Sequence, residues 1–209
     1  MSSAEPQPTR APAAFLDRDG VIVELVPDPD SGRHESPYRP EDVQLAAGSI
    51  EGLLALREAG YRLVAASNQP AAAKGTATLE ELQQVHARAV ELLRDGGIEL
   101  DGWRYCFHHP DGVVPGLAAG CDCRKPGPGL LLEAARDLDL ELTESWMIGD
   151  AATDMEAGQR AGCRTVLVEN PRSGHRRPAD GCAPDLRARS LAEAGAMIAS
   201  RATSPRPAQ

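Results

Sequence analysis

Short apolar runs alternate with longer amphipathic segments along most of this chain, and this alternation restricts its fold more than any other feature. Five runs predict buried strands, at Ala13–Leu16, Arg62–Ser67, Trp103–Cys106, Ser145–Ile148 and Arg164–Val168. Five segments with apolar residues at helical spacing predict helices, at Ser49–Ala59, Leu79–Asp95, Gly129–Leu138, Thr153–Ala161 and Leu191–Ser200. Strands that alternate with helices are typical of a parallel sheet covered on both faces. The sequence therefore predicts a three-layer α/β sandwich with a mostly parallel sheet.

The length of the chain, 209 residues, fits one domain with a core of its own. Residues 1–12 and 202–209 carry Pro, Ser, Thr and Gln without periodicity, so we expect two disordered tails around a domain that spans residues 13–201. Two connections, Val26–Pro40 and His108–Pro128, are too long for simple turns. Both begin at the sheet edge where parallel α/β sheets bind ligands, which favours a functional role for them.

Charge and hydropathy argue against two classes of partner. A formal net charge of −9 disfavours a nucleic-acid surface, whereas a phosphorylated metabolite can still bind where a metal ion and a few cations reverse the local sign. No apolar stretch reaches the roughly 18–20 residues that span a bilayer, and Met1–Pro12 do not resemble a secretion signal. We expect a cytoplasmic monomer that binds neither nucleic acid nor membrane.

Two carboxylates follow the first predicted strand, in the run Phe15-Leu16-Asp17-Arg18-Asp19-Gly20. At the carboxyl end of a buried strand, one carboxylate can act as a nucleophile and metal ligand while its neighbour transfers a proton. A solvated acidic turn closed by glycine is the alternative interpretation.

Polar groups also follow three further segments of the predicted sheet. They are the runs Ser67-Asn68-Gln69, Arg124-Lys125-Pro126 and Gly149-Asp150-Ala151-Ala152-Thr153-Asp154. Together with Asp17 they supply a nucleophilic carboxylate, a hydroxyl and a cation for phosphoryl oxygens, and a further carboxylate for Mg²⁺. The combination indicates phosphoryl transfer through an aspartyl-phosphate.

Two cysteine-containing pairs flank the second long connection. Cys106-x-His108 is followed, after twelve intervening residues, by Cys121-x-Cys123. Three thiolates and an imidazole are the ligand set of a closed tetrahedral Zn²⁺ site, which leaves no open position for chemistry. We therefore predict a zinc-binding loop with a structural ion; scattered buried cysteines are the alternative. Because Arg124 and Lys125 directly follow the last cysteine, such a loop would hold both cations in place.

The four polar signals, in this order between residues 15 and 168, resemble the haloacid dehalogenase superfamily of Mg²⁺-dependent phosphohydrolases. The resemblance implies a Rossmann-like fold in which Asp17 is the nucleophile and Asp19 the general acid and base. It implies Mg²⁺ ligands from Asp17, Asp150 and the backbone carbonyl of Asp19. It also implies that Ser67 binds an oxygen of the transferring phosphoryl group. Lys125 would neutralise the charge of both the nucleophile and the phosphate. Neither usual insertion position is long enough for a large cap domain.

Within this superfamily the cysteine loop resembles that of the D-glycero-D-manno-heptose 1,7-bisphosphate 7-phosphatases, which share Cys-x-His-His-Pro followed by Cys-x-Cys-Arg-Lys-Pro. This implies removal of the 7-phosphate during nucleotide-heptose biosynthesis, with Arg124 on the second phosphate. The substrate-binding residues would be Asn68, Gln69, Lys74 and Arg124. Residues 70–75 read Pro-Ala-Ala-Ala-Lys-Gly where these enzymes usually have Ser-Gly-x-Ala-Arg-Gly, so Lys74 keeps a cation without the planar fork.

Several alternatives stay open at this point. The related histidinol-phosphate phosphatases have a similar metal site with a shorter loop, and another sugar phosphate or bisphosphate could be the substrate. A phosphorelay receiver also uses acids, a Ser or Thr and a Lys, and a catalytically dead zinc-stabilised binding protein would keep the cysteine loop. Asp154 could orient a water or Lys125, or lie at a helix start without a catalytic role.

Overall fold

The computed structural model of the protein describes residues 10–29, 32–177 and 183–202. Its strands are β1 (Ala13–Leu16), β2 (Val26–Pro27), β3 (His34–Glu35), β4 (Arg62–Asn68), β5 (Gly102–Cys106), β6 (Trp146–Gly149), β7 (Arg164–Val168) and β8 (Leu186–Ala188). Six of them form one sheet in the order β5-β4-β1-β6-β7-β8, and every adjacent pair is parallel. The other two, β2 and β3, pair as an antiparallel hairpin. The parallel α/β fold is therefore confirmed.

The described residues contain six helices, five of which lie between strands while the sixth follows β8. They are α1 (Ser49–Glu58), α2 (Ala71–Lys74), α3 (Leu79–Asp95), α4 (Gly129–Asp137), α5 (Ala152–Arg160) and α6 (Leu191–Ala202). Three short 3₁₀ helices lie at Pro40–Asp42, Leu142–Glu144 and Pro171–Arg176. Among the described residues, no helix combines the length and the hydropathy that a membrane-spanning segment requires.

Alternating side chains of the central strands build an apolar layer on each face of the sheet. In β1, Ala14 and Leu16 pack into one buried cluster with residues of α1, α3 and α6. Ala13 and Phe15 point to the other face, where a second cluster includes Leu130, Leu131 and Ala134 of α4. Because side chains alternate across a strand, a four-residue strand such as β1 supplies both layers and is buried throughout.

The predicted elements appear with boundaries that shift by one or two residues. No sequence pattern predicted β8, the β2–β3 hairpin or α2, whose strands and helix are only two to four residues long. Most of both predicted tails, residues 1–9 and 203–209, lies outside the described residues. Next to the predicted domain limits, the carbonyls of Ala11 and Pro12 accept backbone hydrogen bonds from Glu141 and Arg62, and α6 continues to Ala202.

Candidate active site

The predicted catalytic residues meet at the carboxyl edge of the sheet because β1 lies between β4 and β6. Asp17 directly follows β1, and its N–H donates to the Ile148 carbonyl of β6 at 2.9 Å. Ser67 belongs to β4, and Asp150 follows β6. All three side chains are buried, and the parallel register of β1 with β4 and β6 places them at the same edge of the sheet.

One lysine joins two carboxylates of this group. Lys125 Nζ lies 3.0 Å from Asp17 Oδ1 and 2.5 Å from Asp154 Oδ1, and the Lys125 side chain is 2% exposed. Burial alone lowers the pKa of Lys125, but Asp154 and Asp17 outweigh it and raise the pKa above its ordinary value. Asp154 also accepts the Ala151 N–H at 3.0 Å, which fixes it at the start of α5. Of the possible roles of Asp154, orientation of Lys125 is the one that matches this contact.

The carboxylate of Asp150 is fully buried and has no hydrogen-bond partner for either oxygen among the described residues. Burial raises its pKa to about 8, with further contributions from Asp17 and Asp154. Burial likewise raises the pKa of Asp154 to about 6, although Lys125 opposes this. An unpartnered buried carboxylate is costly, which indicates that this cluster is built for a cation.

The donor set suits Mg²⁺. Oxygen atoms of Asp17, Asp150 and Asp154 lie within 4.8 Å of one another, and carboxylate oxygens are the ligands that this hard cation prefers. Gly20 allows the close approach of the loop that carries Asp17. It has φ +92°, and a Cβ atom there would lie 2.1 Å from Asp150 Oδ2. A side chain at position 20 would thus occupy the space next to the acidic cluster.

Asp19 belongs to a separate hydrogen-bond network. Arg18 Nε and Nη2 donate to its two carboxylate oxygens, both at 2.9 Å, and Gln69 Nε2 donates to Oδ2 at 2.7 Å. The same Gln69 group lies 3.1 Å from Ser67 Oγ. Burial alone raises the pKa of Asp19, but the Arg18 guanidinium outweighs it and holds the pKa below its ordinary value. Asp19 is therefore a carboxylate bound to Arg18 in this arrangement.

Asn68 connects the end of β4 to the segment that carries Lys125. Its Nδ2 donates to the Lys125 carbonyl at 2.9 Å, and its Oδ1 accepts the Lys125 N–H at 3.0 Å. This two-way contact fixes the backbone of Lys125 beside the acidic cluster. A positioning contact of Asn68 thus accompanies its predicted contact with substrate.

The predicted zinc ligands form one cluster. The Sγ atoms of Cys106, Cys121 and Cys123 lie 3.1–3.4 Å apart, and His108 Nδ1 lies 3.7–3.8 Å from two of them. A disulfide requires about 2.05 Å, and the described cysteines are all free. Ligands about 2.0–2.3 Å from a central ion are separated by distances of this order in a tetrahedron. The cluster therefore fits a Zn²⁺ ion.

A cavity of about 570 Å³ opens above Asp17, Lys125 and Asp154. The four predicted substrate-binding residues, Asn68, Gln69, Lys74 and Arg124, all line it. Arg124 is half-buried, and its Nη1 donates to the His108 carbonyl at 3.3 Å. The cysteine cluster is thus connected to a cation of the cavity wall.

Several residues that line or surround this cavity were not predicted as site residues from the sequence. Arg176 lines the cavity and donates through Nη2 to Glu35 Oε2 at 3.1 Å, and Tyr38 lies nearby on the wall. No motif marks Arg176. The unusual length of Val26–Pro40 makes Glu35 a candidate contact for sugar or phosphate, beside the alternative of a solvated loop, and the same signal applies to Tyr38. The structure also buries Arg18, at 1% exposure, which argues against the alternative interpretation of this run as a solvated acidic turn.

Comparison with known proteins agrees with this geometry. A family model described as HAD-hydrolase-like matches residues 122–194. The D-glycero-beta-D-manno-heptose-1,7-bisphosphate 7-phosphatase of Photorhabdus laumondii is 41% identical over 157 residues, which are 75% of this chain and 79% of that protein. The chain belongs to this phosphatase family of the haloacid dehalogenase superfamily. The resemblance seen in the sequence is thereby confirmed.

Two further relatives bear on ligands and substrate. The D-glycero-alpha-D-manno-heptose-1,7-bisphosphate 7-phosphatase of Photorhabdus laumondii is 32% identical over 170 residues, 80% of this chain and 88% of that protein. The D,D-heptose 1,7-bisphosphate phosphatase of B. bronchiseptica was solved in complex with magnesium and phosphate. It superposes with a TM-score of 0.76 at 29% identity, over 91% of this chain and 99% of that one.

Proposed function

We propose that this protein is a Mg²⁺-dependent phosphatase that removes the 7-phosphate of D-glycero-D-manno-heptose 1,7-bisphosphate. The observation that carries the proposal is the Asp17–Lys125–Asp154 ion-pair chain beside the unpartnered Asp150 carboxylate, at the floor of a cavity with further cations. The family relationship supports the choice of substrate. The protein would act in the cytoplasm, as a monomer, in nucleotide-heptose synthesis.

Asp17 is the proposed nucleophile. Its carboxylate attacks the phosphorus in line, the bond from phosphorus to the sugar oxygen breaks, and an aspartyl-phosphate forms on Asp17. The Lys125 ammonium, 3.0 Å from Asp17 Oδ1, offsets the charge that collects on the nucleophile and the phosphoryl oxygens. Asp154 keeps this ammonium in position. The Ser67 hydroxyl, buried at the end of β4, would bind one phosphoryl oxygen.

Asp19 is the proposed general acid and base. It donates a proton to the leaving sugar oxygen and then takes one from the water that attacks the aspartyl-phosphate. Its bidentate contact with Arg18 opposes protonation. Acid catalysis therefore requires the Asp19 side chain to leave Arg18 and turn towards the leaving group. Arg18 and Gln69 hold the carboxylate until that rotation occurs.

The two metal sites would have different tasks. The Asp17 and Asp150 carboxylates and the Asp19 carbonyl would hold Mg²⁺, which supplies positive charge to the phosphoryl oxygens when bound. The ligand set Cys106, His108, Cys121 and Cys123 would hold a structural Zn²⁺. Because Lys125 and Arg124 follow Cys123 directly, the closed site would fix both cations relative to Asp17.

The second phosphate of the substrate distinguishes this proposal from its rivals. A guanidinium fork suits a phosphate dianion, and Arg124 lines the cavity beyond the acidic cluster together with Lys74. Asn68 and Gln69 on the same wall would bind sugar or phosphate oxygens. A histidinol-phosphate phosphatase would give this cation no second phosphate to bind.

The test is phosphate release, with Mg²⁺ present, from both anomers of the heptose bisphosphate, the matching 1- and 7-monophosphates and histidinol phosphate. We expect the highest kcat/KM for one bisphosphate anomer, with loss of the 7-phosphate. Faster turnover of histidinol phosphate than of every sugar bisphosphate would replace the proposal with the histidine-pathway reaction. The absence of any Mg²⁺-dependent turnover would favour a binding protein or receiver-like module.

A further inference from the structure

Arg176 ends the 3₁₀ helix Pro171–Arg176, which follows β7 at the same sheet edge as Asp17 and Asp150. Two contacts attach this segment to the active site. The buried Ser173 hydroxyl donates to the Asp150 carbonyl at 3.4 Å, and Asn170 Nδ2 donates to the Gly20 carbonyl at 3.0 Å. The segment is thus fixed to both loops that carry acidic residues, so the location of Arg176 is set by the fold.

The Arg176 side chain is 21% exposed and lines the cavity together with Asp17 and Lys125. Its Nη2 donates to Glu35 Oε2 at 3.1 Å. In the described parts of the chain this is its one hydrogen bond, and the acids of the cluster lie outside ion-pair distance of the guanidinium. Nη1 and Nε therefore keep donors for a ligand. Burial lowers the pKa of Arg176, but Asp150 and Asp17 outweigh it and raise the pKa, so the side chain stays a cation.

The topology places Arg176 opposite the other cations of the cavity. Lys74 follows β4 and Arg124 follows β5, whereas Arg176 follows β7. Since the sheet order is β5-β4-β1-β6-β7, these residues approach from opposite sides of β1 and its Asp17. A substrate whose first phosphate lies at Asp17 would therefore extend a second anionic group between two cationic walls.

We propose that Arg176 is a specificity-determining residue that binds the second phosphate of the substrate from the β7 side, with Glu35 orienting its guanidinium. This inference rests on the proposed function and adds a residue to it. Glu35 lies in β3 and lines the cavity, and its carboxylate holds one amino group of Arg176 so that the rest of the fork faces a phosphate. The rival explanation is that the ion pair only fastens the hairpin to the domain.

The experiment compares kcat/KM for the heptose bisphosphate with kcat/KM for p-nitrophenyl phosphate, which has a single phosphate. The measured ratio is kcat/KM for the bisphosphate divided by kcat/KM for the aryl phosphate. Arg176→Gln is expected to lower this ratio about 10-fold or more, because a charge-assisted contact is lost only for the bisphosphate. The loss should appear as a higher KM for the bisphosphate with little change in kcat, as for binding shared by ground and transition states. Arg176→Lys keeps the charge without the fork and should give an intermediate ratio.

Two variants distinguish binding from fastening. Glu35→Gln removes the ion pair but keeps the cation, so it should retain most of the preference for the bisphosphate. Arg172→Gln, in the same 3₁₀ helix and paired on the surface with Glu24, is the matched control and should match the wild type. All variants are first compared by thermal unfolding.

A ratio in Arg176→Gln equal to that of the wild type would overturn the inference while leaving the proposed function intact. If Glu35→Gln and Arg176→Gln lose the preference equally and their melting temperatures fall by the same amount, the pair only fastens the hairpin, and the inference is also overturned. If the wild type prefers histidinol phosphate to every bisphosphate, the proposed function and this inference both fail. The two results named before it overturn the inference alone, so the two kinds of failure can be distinguished.

Discussion

Replacing Gly20 with alanine tests how closely the loop after β1 must approach Asp150. The new Cβ would lie 2.1 Å from Asp150 Oδ2, whereas ordinary contacts begin at 3.4 Å, so the carboxylate must move by the difference of about 1.3 Å. A misplacement of about 1 Å can cost on the order of 10²-fold in rate. We expect kcat/KM to fall by about that factor and the Mg²⁺ concentration for half-maximal activity to rise, because Asp150 is a proposed ligand.

The substitution also has a backbone cost, which needs its own control. Gly20 has φ +92°, and a non-glycine residue in the left-handed region costs roughly 1–2 kcal/mol. Gly60 has φ +90°, and no described atom lies within 4 Å of a Cβ built there. Gly60→Ala should therefore lose a similar free energy of unfolding in urea while keeping full activity.

Activity assays with p-nitrophenyl phosphate over a Mg²⁺ titration, together with urea unfolding, measure both effects. Near-normal activity and Mg²⁺ dependence in Gly20→Ala would refute the argument from close approach. An equal loss of activity in Gly60→Ala would show that the backbone strain, and not the contact with Asp150, is responsible.

Three further predictions test other parts of the molecule. The wild type should contain about one Zn²⁺ per chain, and Cys121→Ser should lower both zinc content by elemental analysis and the melting temperature; a zinc-free wild type would remove the site. Arg124→Ala should lower the preference for bisphosphate over aryl phosphate by about 10- to 150-fold, from roughly 1.5–3 kcal/mol for one charge-assisted contact, and an unchanged preference in steady-state kinetics would contradict this. Burial alone raises the pKa of Asp101. The hydrogen bond from the Leu63 N–H and the charges of Arg62 and Arg57 together lower it by more, so the folded-state pKa lies below the unfolded value. Its stabilisation is then present above the unfolded pKa of about 3.9 and lost as pH falls through the folded pKa. Asp101→Asn should cost about 1 kcal/mol in urea unfolding at pH 7, with a difference from the wild type that shrinks below about pH 4; a pH-independent difference would contradict the assignment.

The residues at the strand ends could be predicted because parallel strands bring their carboxyl ends to one edge. Asp17, Ser67 and Asp150 each directly follow or end an apolar run that was visible in the sequence. The cysteine cluster was predictable for a similar reason, since its ligands come in two local pairs. In both cases the spatial arrangement follows from local pattern and one general rule of topology.

Residues that depend on long-range packing could not be predicted. Arg176 reaches the site because the sheet places β7 two strands from β1, and no local pattern encodes that neighbour. Arg18 is buried where Asp19 and Gln69 accept hydrogen bonds from its guanidinium and the Tyr105 ring lies beside it, and a sequence shows none of these contacts. The β2–β3 hairpin and β8 have two or three residues per strand, which is too short for an alternating pattern to be recognised.

Asp17 is the proposed acceptor of the 7-phosphate of the heptose bisphosphate. The direct measurement uses substrate carrying radiolabelled phosphorus in the 7-phosphate, with acid quenching during turnover and peptide mapping of the enzyme. We expect transient label in the peptide that contains Asp17, and none in Asp17→Asn protein with an unchanged melting temperature. Label on another residue, or rapid phosphate release from an enzyme that is never labelled, would contradict this role of Asp17.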